Sequence, residues 1–310
     1  MTHRVPQTIA TSSRRAFLRQ SAAGAAALLG ASTAPDAVLA EKLTKPPLRG
    51  SKVRYGLVTY LWAKDWNLPT LIKNCTTSDV LGVELRTTHA HGVERTLNKE
   101  ERAAVKQRFA DSPVTLVGIG SNERFDNPDP EVVKKAIAAT NDFTKLSYDV
   151  GGSGVKVKPD RFHDGVPREQ TIEQIGQSLN TVAKFAADYG QQIRLEVHGQ
   201  CAHLPTIRQI IDVADHTNVA VCWNSNPQDL EGEGLRHNFN LVKHRFGKTA
   251  HIRELQAKEY PYQELVDLFV QGDYDGWLMI EARSDQADTV AALIEQRRLF
   301  ARMVRKAQYA

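Results

Sequence analysis

Ile193–His198 reads Ile-Arg-Leu-Glu-Val-His, Val219–Asn224 reads Val-Ala-Val-Cys-Trp-Asn, Thr249–Arg253 reads Thr-Ala-His-Ile-Arg, and Trp277–Glu281 reads Trp-Leu-Met-Ile-Glu. Each run is short, rich in β-branched or aromatic residues, and followed by a helical pattern, which is the signature of a βα unit. Each also brings a candidate metal ligand to or near its C-terminal end: Glu196, Asn224, His251 and Glu281. In a parallel barrel those ends open onto one face, where side chains from separate strands converge. Two carboxylates, an amide oxygen and an imidazole suit a divalent ion such as Mn²⁺, Mg²⁺ or Zn²⁺. The pattern points to an enzyme.

The same alternation extends upstream. Strands are predicted at Val53–Val58, Val83–Arg86, Val114–Gly118, Gly154–Lys158, Ile193–Val197, Val219–Trp223, Ala250–Arg253 and Trp277–Glu281. Between them the apolar spacing predicts helices at Leu68–Thr76, Lys99–Phe109, Pro130–Tyr148, Glu169–Tyr189, Leu204–Ala214, Gly234–Phe246, Tyr262–Val270 and Ala287–Arg305. Eight such units specify an α/β fold, the (β/α)₈ TIM barrel, better than a sandwich or a bundle. A doubly wound open sheet is the structural rival. No glycine-rich fingerprint follows the first strand, which weakens that rival and a nucleotide cofactor with it.

The N-terminus reads as an export signal. Ser12-Ser13-Arg14-Arg15-Ala16-Phe17-Leu18 is a twin-arginine pattern, followed by the apolar stretch Ser21–Ser32 and a small-residue site at Val38-Leu39-Ala40. The expectation is a signal peptide over residues 1–40, a linker over 41–51, and a barrel domain over 52–310. The apolar stretch has about 12 residues against the roughly 20 that a spanning helix needs, so no stable membrane insertion is expected. The partner so implied is the twin-arginine export machinery, and the location periplasmic or otherwise extracytoplasmic. Residues 1–40 carry four arginines and one aspartate, so the net charge of +4 falls to +1 once they are removed. A near-neutral body of 270 residues argues against nucleic acid as a partner. Cys75, Cys201 and Cys222 show no CxxC spacing; Cys222 reads as a buried small hydrophobe, and a Cys75–Cys201 disulfide has no support in the sequence.

Strand alternation puts Arg194, Glu196 and His198 on one face, toward the barrel mouth. A carboxylate there needs a metal or a partner, and the structural alternative for Glu196 is an ion pair with Arg194 or a lysine. Glu84 and Arg86 share a face and would simply pair. His89 and His91 follow in a loop at the mouth, as candidates for substrate hydroxyls. Lys156 and Lys158 share a face and are candidates for an anionic or carbonyl group; His198 and Arg253 complete the substrate-binding candidates. For each of these the plain reading is a loop or ion-pair residue.

At these positions the chain resembles the xylose isomerase-like TIM barrels, the superfamily of sugar isomerases and epimerases that also holds endonuclease IV. The similarity covers Tyr55 to about Arg302. It is strongest in Gly82–Glu94, Gly151–Pro159, Arg194–Gly199, Cys222–Asp229, His251–Leu255 and Gly276–Glu281. The resemblance implies one divalent metal held by a Glu on strand five, an Asp on strand six, a His on strand seven and a Glu on strand eight, with both glutamates moving protons. Carried over, these are Glu196, Asn224, His251 and Glu281. Asn224 departs from the pattern, leaving one negative charge fewer; Asp229 and His198 are the alternatives that would complete the shell.

The resulting expectation is a metal-dependent sugar isomerase or epimerase working by proton transfer next to a carbonyl, with Glu196 and Glu281 as base and acid. A lyase or hydrolase of keto-glycosides would start from the same enolate and use the same groups. The rival from another class is a non-catalytic, degenerate sugar-binding barrel, supported by Asn224. A phosphodiesterase like endonuclease IV would need more His and Asp ligands and a basic track, which the chain lacks. The partner is a small carbohydrate, and a homo-oligomer is compatible with the sequence.

Overall fold

The computed structural model describes residues 48–310, so the twin-arginine region and most of the linker lie outside the described residues. Arg54–Val58 (β1), Gly82–Arg86 (β2), Thr115–Arg124 (β3), Gly154–Lys158 (β4), Gln192–Glu196 (β5), Val219–Cys222 (β6), Thr249–Ile252 (β7) and Trp277–Ile280 (β8) form the strands. They alternate with helices Leu68–Ser78 (α1), Lys99–Ala110 (α2), Pro130–Asp149 (α3), Arg168–Ala187 (α4), Leu204–Val213 (α5), Gly234–Val242 (α6), Tyr262–Gln271 (α7) and Thr289–Gln308 (α8). The strands run parallel in the order β6-β5-β4-β3-β2-β1-β8-β7, the arrangement of a (β/α)₈ TIM barrel. No helix of the described residues is long and apolar enough to cross a membrane.

The seam between β6 and β7 closes through the loop that follows β6. His251 N–H donates to the Trp223 carbonyl at 2.6 Å, and Ser225 N–H donates to the His251 carbonyl at 3.2 Å. Asn224 and His251 form a parallel bridge there. Two of the candidate ligands therefore sit on the backbone bonds that complete the ring.

Two apolar layers follow from strand alternation. The larger fills the space between strands and helices, with Leu57, Leu85, Val155, Val157, Leu195 and Val221 fully buried on the outward faces. The smaller lies within the barrel: Val58, Val117, Trp277 and Met279. Large side chains fit there because glycine stands opposite them. A Cβ on Gly82 would lie 2.3 Å from the Trp277 ring, and one on Gly118 would lie 2.8 Å from Nη1 of Arg194. Small residues on one strand thus leave volume for a large residue from another, as close packing requires.

Most predicted boundaries agree with the structure to within a few residues, but β3 does not. It continues to Arg124, six residues beyond the predicted end at Gly118. A register shift separates Gly120 from Arg124, and Ser121 Oγ donates to the Lys156 carbonyl at 2.7 Å. The extension carries Asn122 over the mouth. The three cysteines are free and buried.

Candidate active site

The barrel mouth gathers charge that no single strand could hold alone. Glu84, Lys156, Glu196, Asn224, His251 and Glu281 come from six different strands or strand ends, and each is at most 6% exposed. Glu196, His251 and Glu281 each present a ligand atom, all within 4.8 Å of one another. Asn224 lies beside them, its Nδ2 donating to Glu196 Oε1 at 2.9 Å.

Strand geometry assigns Glu84 a partner different from the expected one. It bonds not to Arg86 but, across the barrel, to Nε2 of His251 at 3.1 Å, with both side chains fully buried. The bulge between Val83 and Glu84 and the absence of a side chain on Gly120 make room for it; a Cβ there would lie 2.9 Å from Glu84 Oε1. Burial opposes the charge on Glu84, but the imidazole of His251 outweighs it and holds the carboxyl below its usual range. This bond fixes the ring: Nε2 carries a proton toward Glu84, and Nδ1 points at Glu196 Oε1, 3.5 Å away. A carboxylate behind a histidine is the usual way of aiming its other nitrogen at a metal.

Of the two ion pairs open to Glu196, with Arg194 or with a lysine, the structure has the second. Glu196 Oε2 lies 2.7 Å from Nζ of Lys156, itself 1% exposed. Burial alone would raise Glu196; Lys156 and then His251 reverse this and hold it well below the ordinary carboxylate range. Arg194 lies deeper, donating to Gln192 Oε1, the Val117 carbonyl and Ser153 Oγ at 3.2, 3.2 and 2.7 Å. Two residues along a strand is enough to separate them, because Arg194 fills the interior while Glu196 reaches the mouth.

The donor set fits a divalent ion. Asn224 Oδ1 and His251 Nδ1 are buried without a hydrogen-bond partner, and both belong to the cluster. Such atoms are costly in a barrel interior unless something binds them. Burial disfavours an imidazolium at His251, yet Cys222, Glu84 and Glu196 raise it well above the ordinary imidazole range, so a cation would displace a proton from Nδ1. Neither alternative ligand joins the cluster. His198 Nδ1 bonds Asp160 Oδ1 at 2.9 Å. Asp229 Oδ2 accepts from Tyr260 Oη at 2.6 Å and Asn226 N–H at 3.0 Å, with burial pushing its carboxyl up to about 7.

The remaining candidates ring the mouth. His91 is bound by the backbone on both sides: Nε2 donates to the Arg86 carbonyl at 2.7 Å and Nδ1 accepts from Val93 N–H at 3.0 Å. Burial pushes it down to about 4, a neutral ring that shapes the loop. His89 is partly buried, with Nδ1 3.4 Å from Thr59 Oγ1. Lys158 Nζ donates to Asn122 Oδ1 at 3.3 Å, and burial, with Lys156 next, pushes it down to about 8. Arg253 borders a depression of about 530 Å³ with Glu254, Gln256, Arg283 and Ser284. Glu254 Oε1 accepts from Arg283 N–H, Ser284 N–H and Ser284 Oγ–H at 3.0, 2.7 and 2.6 Å, tying the segment after β8 to the one after β7.

Sequence reasoning missed Glu84 as the partner of His251 and Asn122 as a mouth residue. A carboxylate on the inner face of β2 was visible, but its partner is 167 positions away. Asn122 was hidden by the early end assigned to β3.

A family model described as xylose isomerase-like TIM barrel matches residues 72–303. Among curated proteins none matches the chain in sequence. Solved structures share its fold. The 3-keto-D-glucoside 4-epimerase YcjR from E. coli is 14% identical, with a TM-score of 0.68 covering 81% of this chain and 99% of that one. D-psicose 3-epimerase from Clostridium cellulolyticum H10 is 15% identical, TM-score 0.66, covering 82% and 99%. An L-ribulose 3-epimerase is 15% identical, TM-score 0.68, covering 83% and 96%. At these identities the likeness establishes the fold.

Proposed function

We propose, from the premise that the chain belongs to the xylose isomerase-like TIM barrel family, that it is a divalent-metal-dependent isomerase or epimerase of a keto-sugar. The observation that carries this is the convergence of Glu196, His251 and Glu281 from three strand ends onto one cluster. The epimerases that share the fold act on sugars, by their names, and support the substrate class. A divalent ion, when bound by Glu196, Asn224, His251 and Glu281, would supply Lewis-acid stabilisation of negative charge on substrate oxygens. The rest falls to the chain's own side chains. Glu196 and Glu281 take a proton from the carbon beside the carbonyl and return one to the neighbouring atom or to the same carbon. Lys156 keeps Glu196 ionised as a base, and Glu84 keeps His251 in one orientation.

Incubation with a panel of keto-sugars and Mn²⁺ in D₂O tests this. The expected result is deuterium at a carbon next to the carbonyl, with Glu196→Gln and Glu281→Gln each slowing exchange by about 10²–10⁴-fold. No exchange into any keto-sugar overturns the reading. It would favour a non-catalytic sugar-binding barrel, for which the ammonium of Lys156 against Glu196 is the specific support.

The same proposal places the protein outside the cytoplasm, on the strength of Arg14 and Arg15 in their sequence context. Arg14→Lys together with Arg15→Lys should leave uncleaved precursor in the cytoplasm on fractionation. Normal export of the double variant would reject the twin-arginine route.

A further inference from the structure

We infer that the mouth beside Glu281 is a subsite for an anionic oxygen group carried by the sugar, a carboxylate or a phosphate, so that the substrate is an acidic keto-sugar. The inference rests on the sugar-enzyme reading above for the word substrate; the binding it asserts is independent of catalysis. Arg86 at the end of β2 and Lys158 at the end of β4 converge on a single neutral atom. Arg86 Nη2 donates to Asn122 Oδ1 at 2.9 Å and Lys158 Nζ to the same oxygen at 3.3 Å. An amide oxygen accepts both bonds but balances neither charge.

The nearby carboxylates are already committed. Glu84 is held by His251, Glu196 by Lys156, and Asp160 by Arg124 at 3.2 Å and His198 at 2.9 Å. That leaves Glu281, whose Oε1 is 3.9 Å from Arg86 Nη1, as the one carboxylate in ion-pair range of either cation among the described residues. Lys158 is 6% exposed and has none. Arg86 Nε is buried without any partner. Lys158, almost fully buried, and Arg86, whose side chain is 14% exposed and lies over the Tyr60 ring, therefore share one distant carboxylate, which is also a candidate metal ligand. A divalent ion drawing on Glu281 would leave the pair with still less compensation. Buried charge without a counter-charge is unfavourable, and a guanidinium fork beside an ammonium is a fitting cradle for an oxyanion. The extension of β3 past Gly118 puts Asn122 between them and sets their spacing.

Calorimetric titration of the metal-free protein with D-gluconate, D-glucose 6-phosphate and D-glucose tests the inference without requiring turnover. At least one acid should bind about tenfold or more tightly than glucose, the worth of one charge-assisted hydrogen bond. Gluconate alone gaining affinity identifies a carboxylate, and glucose 6-phosphate alone a phosphate. Lys158→Met and Arg86→Gln should each bring the favoured acid down toward glucose. Lys158 lies at the end of its strand, so its variant keeps the test intact if Arg86→Gln does not fold. Glucose binding as tightly as both acids, no binding of either acid at millimolar concentration, or a preference that survives Lys158→Met overturns the subsite. Acid preference without deuterium exchange would reject the enzyme and keep the subsite; exchange on neutral keto-sugars without acid preference would do the reverse.

Discussion

Lys156→Met is expected to make the stability of the barrel depend on a divalent cation. The ammonium of Lys156 lies 2.7 Å from Glu196 Oε2, with both side chains almost fully buried. Methionine keeps most of the stem and removes the charge. Breaking a buried pair on one side costs about 3–5 kcal/mol, because the other charge is left uncompensated. In a barrel of this size each kcal/mol moves the melting temperature by roughly 2–4 °C, so the metal-free variant should melt about 6–20 °C lower. An ion on Glu196, His251 and Glu281 returns positive charge to the same carboxylate, and its binding stabilises the folded form by linkage. Mn²⁺ should therefore raise the melting temperature of the variant more than that of the wild type, and a chelator should reverse it.

The pH dependence has a definite sign. Glu196 is held well below its unfolded value, so the stability it gains from Lys156 is present at neutral pH and lost as pH falls through the lowered folded value. The gap between variant and wild type should narrow in acid. A variant that melts low at neutral pH and ignores Mn²⁺ would mean that Glu196, His251 and Glu281 hold no ion and that Lys156 is a structural partner of Glu196, and the sugar-binding reading would follow.

The strand ends were legible in the sequence for a simple reason. β6 and β8 are apolar runs followed by a polar residue, β5 ends on Glu196 and β7 carries His251 one residue before its end, and a βα barrel brings all such ends to one face. Glu196, Asn224, His251 and Glu281 could be placed together from local pattern alone. What alternation could not supply was which of the inward charges meet. Glu84 and Arg86 share a face two residues apart, yet Glu84 crosses to β7 and Arg86 turns toward Asn122 and lies over the Tyr60 ring. Arg194 and Glu196 share a face too, but they lie at different depths of the barrel, one against Val117 and Ser153, the other against Lys156. Pairing inside a barrel depends on stagger between distant strands and on gaps left by Gly118 and Gly120. Those are tertiary facts. The extension of β3 escaped for another reason: Ser121, Asn122, Glu123 and Arg124 are polar, and polar residues after an apolar run read as loop.

Asn224→Asp is expected to tighten metal binding and weaken the metal-free fold at once. The structure shows what the amide at position 224 does. Nδ2 of Asn224 donates to Glu196 Oε1 at 2.9 Å, a bond that a carboxylate cannot make. Oδ1 has no partner and belongs to the metal-facing cluster. Aspartate keeps the second oxygen and turns the first from donor to acceptor, placing two carboxylates in contact inside the barrel. Without a divalent ion the two carboxylates repel, and the ammonium of Lys156 already serves Glu196, so Asp at position 224 is pushed to hold a proton. The metal-free variant should therefore unfold more easily at neutral pH than at pH 5, where that proton is cheaply held, because the folded state binds more protons than the unfolded chain. With a cation the added charge becomes favourable, since the number of anionic oxygens is one of the terms that sets affinity for hard ions. Calorimetric titration of Mn²⁺ should show affinity raised by about tenfold or more, equivalent to roughly 1.4 kcal/mol. The stability gap between metal-loaded and metal-free forms should widen correspondingly. If Asn224 served only to hold Glu196 in place, losing that bond would loosen the carboxylate, and Mn²⁺ would bind the variant no better than the wild type. Equal or weaker affinity thus removes Asn224 from the ligands and leaves the ion to Glu196, His251 and Glu281.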